Sequence, residues 1–477
     1  MKKTLLALII LSVITACEQQ KEKKYNEFEI VENTKTKRLD SLFIEFRKYE
    51  EFSGNVLVAE NGKIVFQNSY GLANEETNQK LNTETVFELA SVSKQFTAMG
   101  IVQLHKDGKL SYNDLIDKYI PELKNYKGIT IKNLLTHTSG LPDYMSVADK
   151  KWNKSQIATN DDIISLFQEF EPEQEFEPGQ DYAYSNTGYL ILGTIIERVS
   201  GKSFEEYLNE KIFKPLEMKE TLVYRRRYEP KEVSNYAQGY IYSDSLNRRI
   251  LPDENGKENF YIYLDGIVGD GMVNSNLHDL LKWDRALYTN YLINEQDKNL
   301  IFSPNKYSDS LETNYGFGWY IKKDTTYGKI VSHGGSWAGY STYIERHLVN
   351  DKTIIILQNH GTRKIKMPYK QIQNILYDLP VDKTVRLEDK TLKRYTGIYK
   401  EENGKDVELI FREKSLWVPI SATTKFPLIP ISETKFRLYG FRPEVIYEFI
   451  LNDKGAVESY RVILKETGVE RTAKIKE

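Results

Sequence analysis

The chain has 477 residues, 40% of them hydrophobic and 12% aromatic, enough for two or three domains and too apolar for global disorder. Lys and Arg number 66 against 68 Asp and Glu, a net charge of −2, so there is no basic excess for a phosphate backbone and composition argues against nucleic acid. The one cysteine, Cys17, excludes an intramolecular disulfide.

Lys2 and Lys3 precede an apolar run, Leu5 to Ile14. That run falls short of the roughly 20 residues a bilayer span needs and reads as a signal peptide over residues 1–16. It ends in Ile14-Thr15-Ala16-Cys17, which resembles a bacterial lipobox. The resemblance implies that Cys17 is lipidated and becomes the new N-terminus. Its acyl chains would bind the membrane at about 0.8 kcal/mol per buried CH₂. Residues 17–36 are polar and charged and read as a flexible tether. The expected location is a bacterial cell envelope, anchored to a membrane and facing the periplasm or the exterior.

The folded body is expected from residue 37. Leu39, Leu42, Phe43 and Phe46 have helical spacing up to about Tyr49. Asn55–Ala59 and Lys63–Phe66 flank Asn61-Gly62, a type I′ hairpin signal. A helix is expected from Ser91 to about Lys106, and another from Thr187 to Val199, stopped by Gly201. Lys329–His333 and Ser341–Glu345 read as strands. Thr353–Leu357 is a continuous apolar run, as in a central strand buried on both faces. A first, larger domain is expected over 37–380. From 385 to 477 the texture changes to short strand-like runs (Val407–Phe411, Ser415–Val418, Phe436–Tyr439, Val445–Ile450, Tyr460–Leu464), a small antiparallel barrel or sandwich.

The chemistry centres on Ser91-Val92-Ser93-Lys94. On a helix, residues three apart share a face, so the Lys94 ammonium can reach the Ser91 hydroxyl. A serine at a helix start also has free backbone N–H groups to stabilise an oxyanion. The same S-x-x-K spacing recurs at Ser303–Lys306 and Ser432–Lys435, but only Ser91 opens a good helix. Tyr184-Ser185-Asn186 and His333-Gly334-Gly335 follow in order.

The three motifs together resemble the penicillin-recognising serine hydrolases, and within them the class C β-lactamase and D-alanyl-D-alanine carboxypeptidase-like branch. Ile129–Pro142, Tyr184–Gly193 and Ile212–Met218 resemble segments typical of that branch, so the likeness runs from about Leu39 to Asp378. It implies an α/β (α+β) fold: an antiparallel sheet flanked by helices, a helical subdomain, and the nucleophile at their junction. Ser91 would attack a carbonyl and form an acyl-enzyme. Lys94 and Tyr184 would move its proton, the division between them left open. Asn186 would bind the substrate amide or the Lys94 ammonium. Gly335 would let a substrate backbone lie close. The resemblance places the oxyanion hole at the backbone N–H groups of Ser91 and Ser336.

His333 departs from the lysine usual in β-lactamases. A histidine is only partly charged at neutral pH; it can hydrogen-bond Tyr184 or a carboxylate but captures anions less well. This favours amide or ester substrates, foremost peptides with D-residues such as peptidoglycan stem peptides, over β-lactams. Esterase or β-lactamase activity of the same fold is the alternative. A non-catalytic peptidoglycan-binding or regulatory lipoprotein is the rival from another class.

Other motifs fail on context. Gly334–Ala338 nearly fits G-x-S-x-G, yet Glu345 and His347 follow too closely for that triad. Gly201-Lys202-Ser203 lacks the glycine five residues earlier that a P-loop needs. The six histidines show no metal-ligand spacing, so no metal or other cofactor is expected, and His137 reads as a structural hydrogen-bonder.

Overall fold

In the computed structural model, Asn61 (φ +53°) and Gly62 (φ +73°) both adopt the left-handed conformation that a type I′ turn demands, and join β1 (Gly54–Glu60) to β2 (Lys63–Tyr70). The structure describes residues 28–476 except 49–50, 244–245, 247, 257, 307–311, 361–366, 382–384, 413, 421–424, 440–443 and 465–469. The segment expected to be a signal peptide, Cys17 and most of the expected tether therefore lie outside the described residues. Among the described residues no helix is long and apolar enough to cross a membrane.

Four later strands, β3 (Tyr320–Asp324), β4 (Gly328–Trp337), β5 (Tyr340–His347) and β6 (Lys352–Gln358), complete a six-stranded sheet of order β3-β4-β5-β6-β1-β2. Every pairing is antiparallel. Period-two alternation splits the central strands between two cores. Val56, Val58, Ile354 and Ile356 pack under α1 (Thr34–Lys48), whose Leu39, Phe43 and Phe46 are fully buried. Leu57, Ala59, Ile355 and Leu357 face the opposite, larger core. The run Ile354–Leu357 is unbroken because both of its faces are covered.

That larger core contains α2 (Lys94–Lys106) and α3 (Asn186–Ser200), which pack on each other. The fold is thus a mixed α/β architecture, an antiparallel sheet with flanking helices and a helical region, with Ser91 where sheet and helices meet.

The C-terminal module is a closed eight-stranded antiparallel barrel from Gly397 to Ile475. Of the two expected forms, barrel or sandwich, closure selects the barrel: Gly397–Glu401 pairs with Glu470–Ile475 as well as with its hairpin neighbour. Tyr395, Tyr399, Phe436, Phe449 and Tyr460 fill its interior. Trp417 is buried, its Nε1–H donating to the Arg412 carbonyl at 3.0 Å. The Arg412 guanidinium lies 4.7 Å from the Trp417 ring and 4.9 Å from the Tyr242 ring of the larger domain, so one cation–π stack bridges the two units.

Candidate active site

The nucleophile motif does not begin as an α-helix, contrary to the periodicity. Strand Phe87–Glu88 pairs with Val273–Ser275, and the chain then turns through Ala90 at φ +49°. A non-glycine residue there costs on the order of 1–3 kcal/mol and must be held by its surroundings. A 3₁₀ turn, Ala90–Ser93, follows, and the α-helix starts only at Lys94. The turn is clamped. The Leu89 carbonyl accepts from the Thr342 hydroxyl (2.7 Å) and the Val92 N–H (3.2 Å), and Ser93 Oγ accepts from the Val273 N–H (3.0 Å).

Gly335 on β4 is part of that clamp. A Cβ there would stand 2.2 Å from the Leu89 carbonyl oxygen, 2.5 Å from Thr342 Oγ1 and 3.1 Å from Ala90 Cβ. The close backbone approach expected at this glycine is therefore made by the chain's own nucleophile turn.

Lys94 is fully buried, and its Nζ donates to Ser91 Oγ (3.2 Å), Asn186 Oδ1 (2.9 Å) and the Asp270 carbonyl (2.9 Å). All three acceptors are neutral. Asn186, first residue of α3, is aimed by Asp143: its backbone N–H and Nδ2 both donate to Asp143 Oδ2, at 3.0 and 2.9 Å. The Tyr184 ring lies 5.1 Å from Lys94 Nζ and rests on His137, with ring centroids 4.3 Å apart. His137 is buried and accepts the Ser185 N–H at Nδ1 (3.2 Å). Burial and the nearby Lys94 charge keep it well below the ordinary histidine range.

His333 differs from the expectation. It is buried, and burial together with the Lys94 charge pushes it down to about 3, so it is neutral at physiological pH. A carbonyl can only accept, so His333 Nδ1 donates to Gly334 O (2.7 Å), and the neutral Nε2 accepts from the Tyr315 hydroxyl (2.9 Å). Its partner is Tyr315 rather than Tyr184. Both ring nitrogens are used, which leaves neither charge nor donor for a substrate carboxylate. Sequence had no means of finding Tyr315, 18 residues upstream on a separate segment.

Ser91, Tyr184, Asn186 and Ser336 line one cleft of about 300 Å³ with Glu88, Tyr144, Asp270 and Trp337. Burial raises the Asp270 carboxyl to about 6 despite Lys94 and a bond from the Tyr144 hydroxyl (3.1 Å). Burial, with Asp265 close by, raises Glu88 to about 8. Asp143 and Asp270 escaped the sequence reading because no local spacing ties them to Ser91, whereas Glu88 and Trp337 stand beside motif residues but carry no spacing that marks them as lining a cleft. A larger hollow of about 490 Å³, lined in part by Gln67, Glu84 and His278, contains none of the motif residues. Among the described residues no cluster of three His, Cys, Asp or Glu could hold a metal.

The remaining motif matches fall elsewhere. Tyr288 of Tyr288-Thr289-Asn290 lies under the Arg285 and Arg346 guanidiniums. Ser432–Lys435 forms a turn in the barrel, with Lys435 N–H donating to Ser432 Oγ.

A family model described as Beta-lactamase matches residues 39–370. Penicillin-binding protein 4* of Bacillus subtilis (strain 168) is 39% identical over 453 residues, covering 93% of this chain and 99% of that protein. The octameric penicillin-binding protein homologue from Pyrococcus abyssi superposes with a TM-score of 0.65 at 24% identity, over 92% of this chain and 99% of that one. The D-amino acid amidase from Ochrobactrum anthropi SV3, complexed with D-phenylalanine, does so at 0.56 and 22% identity, over 72% and 96%. These last two likenesses are of fold. The chain belongs to the β-lactamase family, the serine hydrolases of the β-lactamase and penicillin-binding-protein type.

Proposed function

We propose that the protein hydrolyses amide or ester bonds through an acyl-Ser91 intermediate, with peptides containing D-residues, such as cell-wall stem peptides, as the first substrate class. The observation that carries this reading is Lys94 Nζ, buried behind the cleft that Ser91, Tyr184 and Asn186 line and bonded at once to Ser91 Oγ, Asn186 Oδ1 and the Asp270 carbonyl. Ser91 Oγ attacks the carbonyl carbon, and its proton passes through Lys94 and Tyr184 to the leaving group. The backbone N–H groups of Ser91 and Ser336 receive the oxyanion. Water then cleaves the acyl ester by the reverse proton path. A neutral, fully engaged His333 is a poor anchor for a substrate carboxylate, which weighs against anionic β-lactams as the natural substrate.

A fluorophosphonate or labelled penicillin should modify the native protein and leave the Ser91→Ala variant unlabelled. No labelling of the native protein by either reagent would refute the reading. The same label on cell fractions tests the anchor: it should partition with membranes and leave them in Cys17→Ala. Label that stays with membranes in that variant would refute lipidation at Cys17.

A further inference from the structure

Tyr184 is held from behind rather than at its tip. Its side chain is half-buried, and among the described residues no hydrogen bond reaches its hydroxyl. What fixes the ring is His137. The residues on either side of Tyr184 both donate to it: the Ala183 N–H to the His137 carbonyl (3.0 Å) and the Ser185 N–H to His137 Nδ1 (3.2 Å). The imidazole then lies against the phenol ring between them, with centroids 4.3 Å apart and planes inclined by 35°. His137 itself does not line the cleft.

His137 bears two costs in this place. Its backbone is left-handed (φ +58°), which strains a residue with a Cβ. Burial and the Lys94 charge keep the ring neutral, and because Nδ1 accepts, the single proton sits on Nε2. That buried Nε2–H has no hydrogen-bond partner; the rings of Tyr189 and Tyr315 stand around it, with centroids 5.2 and 4.5 Å from the imidazole. Both features cost stability, and the surroundings impose them. Thr138 N–H donates to the Asn133 carbonyl (2.9 Å), the Thr138 carbonyl accepts from Gly179 N–H (2.8 Å), and the Tyr189 hydroxyl on α3 donates to the Leu135 carbonyl (2.9 Å). A purely apolar ring would fill the same space without an unpaired N–H. Only an imidazole joins that ring to an acceptor for Ser185. Strain and an unsatisfied group, held by the fold against a residue that moves protons, point to a part in the reaction.

We infer that His137 is the positioning residue of Tyr184, setting the place from which the phenol exchanges its proton, without touching the substrate. This rests on the acyl-Ser91 reading and gives its proton path a brace. The brace extends to the third motif: Tyr315, in contact with His137, donates to His333 (2.9 Å), so one imidazole steadies both the Tyr184–Asn186 segment and the His333 strand. Being neutral, it does so without setting a second buried cation beside Lys94.

The test is a double-mutant cycle on the full-length protein. The rate at which Ser91 is modified is measured with the fluorophosphonate or the labelled penicillin, whichever labels the native protein. The variants are Tyr184→Phe, His137→Phe and the two combined, with thermal melting to verify folding. His137→Phe keeps a ring and removes the acceptor. Each single variant should be slower by about tenfold or more, since proton transfer depends on exact placement. The double variant should be no more than about twofold slower than Tyr184→Phe, because a brace has nothing left to position once the hydroxyl is gone. Damage unconnected with Tyr184 would instead multiply. Should His137→Phe fail to fold, His137→Asn completes the same cycle: asparagine tolerates positive φ and its amide oxygen can accept the Ser185 N–H, while the ring support is lost. A folded His137 variant that labels at the native rate, or losses that multiply in the double variant, would overturn the inference and leave the acyl-Ser91 reading standing. Tyr184→Phe labelled at the native rate would remove Tyr184 from the proton path and the inference with it. No labelling of the native protein by either reagent would overturn the acyl-Ser91 reading itself.

Discussion

S-x-x-K occurs in both domains, and the copies at Ser91 and at Ser432 share nothing but spacing. In the barrel, Ser432 Oγ accepts the backbone N–H groups of Thr434 (3.3 Å) and Lys435 (3.0 Å), and the Lys435 side chain, half in solvent, pairs with Glu448 at 3.0 Å. At Ser91 the lysine is fully buried, has only neutral acceptors, and touches the serine hydroxyl itself. Sequence spacing makes the two residues neighbours. Burial and the segments brought in from elsewhere decide whether the pair does chemistry or closes a turn.

The strongest way to break this comparison is to remove each lysine. Lys94→Ala should lower turnover by roughly 10³-fold, within the span of general acid–base contributions. Lys435→Ala should leave turnover unchanged and cost less than about 1 kcal/mol, as exposed ion pairs do. Equal effects in a parallel assay of the two variants would undo the distinction.

Next in size is Gly335→Ala. The added Cβ would drive against the Leu89 carbonyl, and overpacking of this kind costs about 1–3 kcal/mol. Because that carbonyl clamps the nucleophile turn, turnover should fall about 100-fold, the effect of a displacement of order 1 Å. Thermal melting and kcat measured together check it; a variant with native turnover would show that the turn does not depend on the contact.

The smallest effect is a slope. Burial raises Glu88 from 4.5 to about 8 in the folded state. The folded protein therefore holds this proton more tightly than the unfolded chain. That stabilisation is complete below about 4.5 and is lost as pH rises through 8, at up to about 1.4 kcal/mol per pH unit. Asp270 stops contributing above about 6, so Glu88→Gln should flatten the decline of the melting temperature between pH 6 and 8. An equal slope in the variant would mean that Glu88 is not the group involved.

Local chemistry made much of the fold legible. Asn61-Gly62 could only be a primed turn, and the apolar spacing of Leu39–Phe46 gave α1. The Ser91 helix was misplaced by three residues because nothing in the side chain of Ala90 announces a left-handed backbone; the clamp from Thr342 and Leu89 imposes it. The barrel strand Lys425–Pro430 was hidden by Pro427 and Pro430, which strand propensity penalises because a proline has no N–H to give to the ladder. At the site, the motif residues were readable and their supports were not. Asp143 meets Asn186 across 43 positions and the Asp270 carbonyl meets Lys94 across 176, distances over which only tertiary packing speaks.

Barrel closure has a consequence for how such chains coexist. An open sheet exposes rows of unpaired N–H and C=O groups that can recruit another molecule's strand. The C-terminal module pairs its first strand with its last and, among its described residues, offers no such row. In the larger domain, edge strand β3 is only five residues long and carries Lys322, Lys323 and Asp324. The other edge, β2, is partly covered by the Ile30–Ile64 bridge. Chains crowded side by side would thus find little unpaired strand edge to zip onto among the described residues.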